Sequence, residues 1–173
     1  MKENKSENQK EKEILENINK KFGITGDIQR NQRVWATVDE KILVKFCTWV
    51  KDQGFVHLSA LSVTDWLDEK KYEVVYTVWS YKDNILLGIK TKIDRDNPTI
   101  DSVVPVWNKS AQIHERELHE LFGVVFEGNS DLAPLFLEDW DGPPPFRKDF
   151  DWREYVKEEY YDKENARERG YFD

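Results

Sequence analysis

Two neighbouring stretches, residues 72–81 and 84–93, constrain the fold of this chain more than any other feature. The first is rich in Val, Tyr and Trp, the residue types that fit a pleated, half-buried surface, and the second alternates aliphatic residues with Lys and Thr. Between them Lys82, Asp83 and Asn84 supply turn chemistry, so the pair reads as a β-hairpin. The expected fold class built around it is α+β: one mixed or antiparallel sheet of about four to five strands, helices packed on it, and an extended C-terminal arm.

The rest of the chain supplies the other elements. Residues 1–22 read as a charged helix with Ile14, Leu15, Ile18 and Phe22 on one side, broken by Gly23 and Gly26. Residues 33–38 form a plausible strand, and Asp39 can cap a helix in which Ile42, Phe46, Trp49 and Val50 recur at helical spacing until Gly54. From Phe55 the period becomes two, with Phe55, His57, Ser59 and Leu61 alternating against Val56, Leu58 and Ala60, and a turn is expected at Thr64 and Asp65. Asp96, Asn97 and Pro98 end the sheet, residues 100–107 read as one short element, and Ser110 is a candidate cap for a helix over 114–122. The expected organisation is a charged helix over 1–22, an α+β domain over 23–128 and an arm over 129–173.

Composition narrows the function. A chain of 173 residues has material for one core, and 39% hydrophobic with 35% charged residues is too apolar for disorder and unusually charged for a small globular protein. Abundant Lys and Glu with 1 Cys and 1 Met resembles proteins from hot environments. A formal charge of -8, without a Lys/Arg stripe, argues against nucleic acid. No apolar run approaches the roughly 18 to 20 residues needed to span a bilayer. The start, Met1 to Lys12, lacks the apolar centre of a signal peptide, and cytoplasmic residence is the expectation. Cys47 reads as a small buried hydrophobe among Phe46, Trp49 and Val50; a single thiol cannot hold a cubane cluster or a Cys-rich zinc site. There is no Gly-rich phosphate cradle.

The run from His114 to Gly123 looks at first like a metal or acid-base site. A zinc-protease helix needs histidines four apart; His114 and His119 are five apart, which turns one imidazole about 140° from the other. Acid-base chemistry by Glu115, Glu117, His114 and His119 needs an enclosed pocket, and positions i and i+2 of a helix point apart. The plainer reading is an amphipathic helix with Leu118, Leu121 and Phe122 as its apolar stripe, Arg116 paired with Glu120, Glu115 paired with His119, and Gly123 as its left-handed end. Val124 to Phe126 then reads as a short buried extension. After Gly128 the run Gly142-Pro143-Pro144-Pro145 cannot sustain regular structure. Trp152, Tyr155, Tyr160, Tyr161, Tyr171 and Phe172 are too many aromatics for a free tail, so the arm covers a surface, its own core or a partner's.

Glu115-Arg116-Glu117, Glu120-Leu121-Phe122-Gly123-Val124, Phe126 and Gly128, in that spacing, resemble the signature of the thirty-kilodalton-subunit family of respiratory complex I. Phe146-Arg147-Lys148-Asp149-Phe150 matches the family's second landmark in the expected order, and Asp101-Ser102-Val103, Trp107 and Ala111 are also similar. The resemblance spans roughly Phe22 to Phe150. It departs at Asn129, where the family usually has histidine, and at Ala133, where it has a basic residue. The form Glu138-Asp139-Trp140, followed by prolines and Phe146-Arg147-Lys148, is similar to the membrane-bound nickel-iron hydrogenase branch, whereas the complex I branch has Gly-His-Pro before the arginine.

The resemblance implies a non-catalytic, cofactor-free α+β subunit, without metal ligands, in the cytoplasmic arm of an oxidoreductase complex. It would lie peripherally on the cytoplasmic side of the cell membrane, beside a hydrogenase-like large subunit and near a small iron-sulfur subunit, reaching the membrane arm only through other subunits. The complex would pass electrons from reduced ferredoxin to protons and couple this to ion pumping. A sulfane reductase, or an NADH or F(420)H(2):quinone oxidoreductase, would use nearly the same subunit. In related formate-coupled hydrogenases this domain is fused ahead of the large subunit, which implies that 151–173 lies along that partner. The expected partner interface comprises Glu115, Arg116, Glu117, Glu120, Phe146, Arg147, Lys148, Asp149, Phe150, Trp152 and Tyr155.

Overall fold

The computed structural model describes residues 8–137 and 139–162. The charged start of the chain, Glu138, and the end of the arm with Tyr171 and Phe172 lie outside the described residues. Five strands, β1 (Gly26–Arg30), β2 (Arg33–Thr37), β3 (His57–Trp66), β4 (Lys71–Ser80) and β5 (Ile85–Asp94), form one sheet in the order β1-β2-β5-β4-β3. Strand β2 runs parallel to β5 and every other pair is antiparallel, so the sheet is mixed. The α+β expectation holds.

The hairpin forms from β4 and β5, with Asn84 in the left-handed region (φ 59) and its N–H donating to Ser80 O at 2.8 Å. Period two decides its inner face: Tyr72, Val74, Tyr76 and Val78 of β4 and Ile85, Leu87, Ile89 and Ile93 of β5 are buried, while the intervening β4 residues are half-buried. Three helices close this core: α1 (Gln9–Phe22) through Ile18, α2 (Leu43–Asp52) through Leu43, Phe46, Cys47 and Val50, and α3 (Val104–Phe122) through Val106, Ala111 and Leu118. Asp39 does cap, but it opens a short 3-10 turn (Glu40–Ile42) ahead of α2, its carboxylate accepting from Lys41 N–H at 2.9 Å.

Several local expectations are corrected. Strand β3 does not alternate evenly, because a bulge at Ser59 shifts its register and brings both Leu58 and Leu61 to the core. Nor does it turn at Thr64 and Asp65; it continues to Trp66, and Asp65 is buried against Arg95. Strand β1 begins at Gly26, which reads from sequence only as a helix breaker: a Cβ there would lie 2.5 Å from Trp35 O and collide with the Leu15 side chain, so glycine permits the close approach of α1 and β2. Residues 100–107 divide into β6 (Thr99–Asp101) and the first turn of α3, and β6 pairs in parallel with β7 (Val125–Glu127) in a second, two-stranded sheet. Helix α3 is two helical segments meeting at a kink at Asn108 (φ 53, ψ -134), a short one from Val104 and a longer one after the kink that carries 114–122. Ser110 caps nothing; its hydroxyl donates to Leu58 O at 3.3 Å. Val124 and Phe126 are buried, but Val125 between them is exposed on the outer face of β7, so the extension is only half buried; Gly123 ends α3 with φ 77.

Candidate functional site

Helix α3 carries the signature side chains, and Glu115, Arg116 and Glu120 each reach away from the helix to other segments. Glu115 is fully buried. Its carboxylate accepts from the Ser102 hydroxyl at 2.7 Å, Val103 N–H at 2.8 Å and Asn129 Nδ2 at 3.0 Å. Burial raises its pKa, against the pull of these three donors. Glu115 thus ties the start of α3 to the loop after β7 and offers no surface to a partner. It does not pair with His119, whose Nδ1 lies 2.8 Å from Val124 O. Asn129, the departure from the family histidine, supplies one of the three donors.

Arg116 and Glu120 do not pair either. Arg116 Nε and Nη2 donate to the carbonyls of Ala133 (2.9 Å) and Pro134 (2.8 Å), and Nη1 reaches Asp131 at 3.3 Å. Glu120 accepts the N–H groups of Leu135, Phe136 and Leu137, the last at 2.6 Å. The irregular backbone of 133–137 has no ladder of its own, and its polar groups need partners. Several charge-assisted bonds to it outweigh an i,i+4 pair worth about 0.5 kcal/mol or less in solvent. Glu117 stays at the surface, its Oε2 3.9 Å from His114 Nδ1. The four acid-base candidates are therefore dispersed: Glu115 inside, His119 on Val124 O, His114 and Glu117 outside.

The second landmark is fastened at the other end of α3. Phe146 N–H donates to Leu121 O at 3.0 Å, and its ring meets Phe122 edge to face at 5.8 Å. Lys148 N–H donates to Asp65 Oδ2 at 2.9 Å. Asp149 receives Arg95 Nη2 at 2.6 Å and Nη1 at 3.0 Å, and the same guanidinium holds Asp65 through Nε at 2.7 Å and Nη2 at 3.0 Å. Arg95 and Asp65 side chains are 5% and 2% exposed, so this is an interior ion pair that the arm completes. Arg95 holds the Asp149 carboxyl well below the usual range, helped by Arg147 at 3.3 Å. Burial pushes Asp65 up, but Arg95 and the Lys148 N–H outweigh it and the net shift is downward. Asp65 and Arg95 are not singled out by the sequence motifs, yet the hairpin carries a signal: one rung aligns Asp65, Tyr72 and Ile93, which places Arg95 two residues past it.

Between these fastenings the arm is folded rather than extended. Trp140, Phe150 and Tyr155 pack together with ring centroids 4.9 to 5.9 Å apart. Gly142 sits against them, where a Cβ would fall 2.6 Å from Trp140 and 2.8 Å from Tyr155. Asp151 caps the short helix α4 (Trp152–Val156), accepting from Arg153 and Glu154 N–H. Phe150 and Tyr155 thus face the arm's own cluster, whereas Phe136, Phe146, Trp152, Tyr160 and Tyr161 are 58–80% exposed. Among the described residues no three His, Cys, Asp or Glu side chains group as a metal site, and no helix is long and apolar enough to cross a membrane.

Fold and fastenings define a class of protein, an α+β domain that strings an aromatic arm along one helix by charged side chains. Residues 36–156 match the family described as respiratory-chain NADH dehydrogenase, 30 Kd subunit. The chain belongs to this family, and so to the subunits of complex I-related respiratory complexes. It is 35% identical over 144 residues to a subunit of the F(420)H(2) dehydrogenase of Methanosarcina mazei, covering 80% of this chain and 90% of that one. To a subunit of the NADH-quinone oxidoreductase of Coxiella burnetii it is 36% identical over 98 residues, 57% of this chain and only 42% of that one. Among solved structures, a chain of the membrane-bound sulfane sulfur reductase, an archaeal respiratory membrane complex, superimposes with a TM-score of 0.81 at 30% identity, covering 91% of this chain and 98% of that one.

Proposed function

We propose that this chain is a structural and assembly subunit in the cytoplasmic arm of a membrane-bound complex of the nickel-iron hydrogenase type, in which ferredoxin oxidation and hydrogen evolution drive ion pumping. Its own task is to hold an aromatic surface against the hydrogenase-like large subunit, beside the small iron-sulfur subunit. The observation that carries this reading is the outward face of the arm: Phe136, Phe146, Trp152, Tyr160 and Tyr161 stand exposed on a segment that the signature charges fasten to the domain. Large aromatics on a fastened, partly rigid segment are the composition of an interface core. The proline-rich approach to Phe146 supports the hydrogenase branch in particular.

A second reading has one specific observation in its favour. The structural likeness to the sulfane sulfur reductase chain extends over 91% of this chain, which favours a parent complex that reduces sulfane sulfur. Affinity purification of the native complex through a tag on this chain separates the two. Copurification of a nickel-containing large subunit with ferredoxin-driven hydrogen evolution supports the hydrogenase; sulfide production from a sulfane donor without nickel supports the reductase. Recovery of the chain alone under gentle extraction overturns both.

A further inference from the structure

We propose that the Asp65–Arg95 pair is an internal docking latch for the arm, with Arg95 as the residue that positions the interface. The pair bridges the ends of β3 and β5 across the start of β4, with the Tyr72 ring of β4 5.6 Å from the guanidinium. On its own, Asp65–Arg95 is already a two-point ion pair. The arm adds two further contacts of different kinds: the Lys148 backbone N–H on Asp65, which fixes chain direction, and the Asp149 carboxylate on Arg95, which fixes register. The contacts span 83 and 54 residues of sequence, so they do not form from local propensity; they close only when the arm folds back. Next to the latch, Phe146 turns its ring onto Phe122 and keeps 58% of its surface outside. Arg95 itself contributes almost nothing to the outer surface, with its side chain 5% exposed. Its effect on a partner therefore passes through the position of Phe146 and α4. A surface whose aromatics are already in place spares the partner the ordering cost of binding a loose tail.

This inference rests on the reading that the arm carries the interface, and the test separates the two. Hydrogen exchange is measured on the full chain as wild type, Asp149→Asn, Arg95→Met and Arg95→Lys, together with the fraction of each that copurifies with the complex. The expected result for Asp149→Asn is at least ten-fold faster exchange of the Phe146, Lys148 and Phe150 amides with β3, β4 and β5 unchanged. Arg95→Met gives a larger rise at the same amides, Arg95→Lys recovers part of it, and the assembled fraction falls in the same order. If Arg95→Met does not fold, Asp149→Asn decides alone, because the Asp149 side chain is 46% exposed and its loss leaves Asp65–Arg95 in place. Unchanged exchange at those amides, or a uniform rise across the sheet, overturns the latch. A freed arm with undiminished assembly leaves the latch standing and overturns the reading of the arm as interface.

Discussion

The sheet domain and the arm are held by different physics. In the domain, Ile18, Phe46, Tyr76, Leu87 and their neighbours are fully buried in one apolar cluster, so cohesion is spread over many side chains of which each contributes about 1.5–3 kcal/mol by leaving water. The arm has a small aromatic cluster, Trp140, Phe150 and Tyr155, and is attached mainly through a few carboxylates and guanidiniums rooted in the domain, Arg116, Glu120, Asp65 and Arg95, with Leu132 on the core and Phe146 on Leu121 and Phe122 beside them. A diffuse apolar core tolerates many single changes, whereas an attachment made of a few directed contacts can open at one end without unfolding the rest. Of the family's signature charges, Arg116, Glu120 and Asp149 fall at the seam between the two regions.

The contrast breaks first at Glu115, the signature charge fully buried in the domain, where it binds Ser102 and Val103 and holds Asn129 at the root of the arm. Glu115→Ala leaves the Ser102 hydroxyl, the Val103 N–H and the Asn129 amide without their acceptor, and we expect the urea midpoint of the isolated subunit to fall by the equivalent of about 3–5 kcal/mol. A loss of under about 1 kcal/mol would move Glu115 out of the fold network. Next is Gly142→Ala, whose methyl overlaps Trp140 and Tyr155. It should cost the arm about 1–3 kcal/mol of local stability, seen as proteolytic nicking within 139–162 while the melting of the domain is unchanged. Coupled loss of both would join the two regions into one cooperative unit.

Acid sharpens the comparison further. Asp149 and Asp65 have folded pKa values below the ordinary carboxylate value, so their contribution is complete above about 4, the unfolded value, and is lost as pH falls through the depressed ones. Fluorescence of the arm tryptophans should therefore hold steady from about pH 8 to 5 and change only below about 4. Glu115 runs the other way: its pKa is raised, so its protonated form is favoured in the fold, and its contribution weakens as pH rises from the unfolded value toward the raised one. The smallest stability effect is expected at Trp152, 60% exposed on α4. Trp152→Ala should change the subunit's stability by less than about 0.5 kcal/mol yet lower copurification of the complex by ten-fold or more. Equal recovery of mutant and wild type would remove Trp152 from the interface.

Periodicity in the amino-acid sequence was enough for the hairpin, the apolar faces of α1 and α2 and the α+β class, because each follows from which residues leave water at a spacing of 2 or 3.6, and the end of α3 at Gly123 followed from glycine's freedom to take positive φ. The spacing of Glu115 to Gly128 and of Phe146 to Phe150 was enough for the family. What each of those charges touches was decided only by tertiary structure. On a helix drawn alone, Arg116 faces Glu120 and Glu115 faces His119; in the folded chain Arg116 and Glu120 instead meet backbone groups of 133–137, and Glu115 turns inward to Ser102, Val103 and Asn129. The bulge at Ser59, the parallel β6–β7 pair and the Asp65–Arg95–Asp149 cluster share that origin. Each depends on groups distant in sequence whose need for a partner arises only once water has been excluded, and local spacing carries no record of that need.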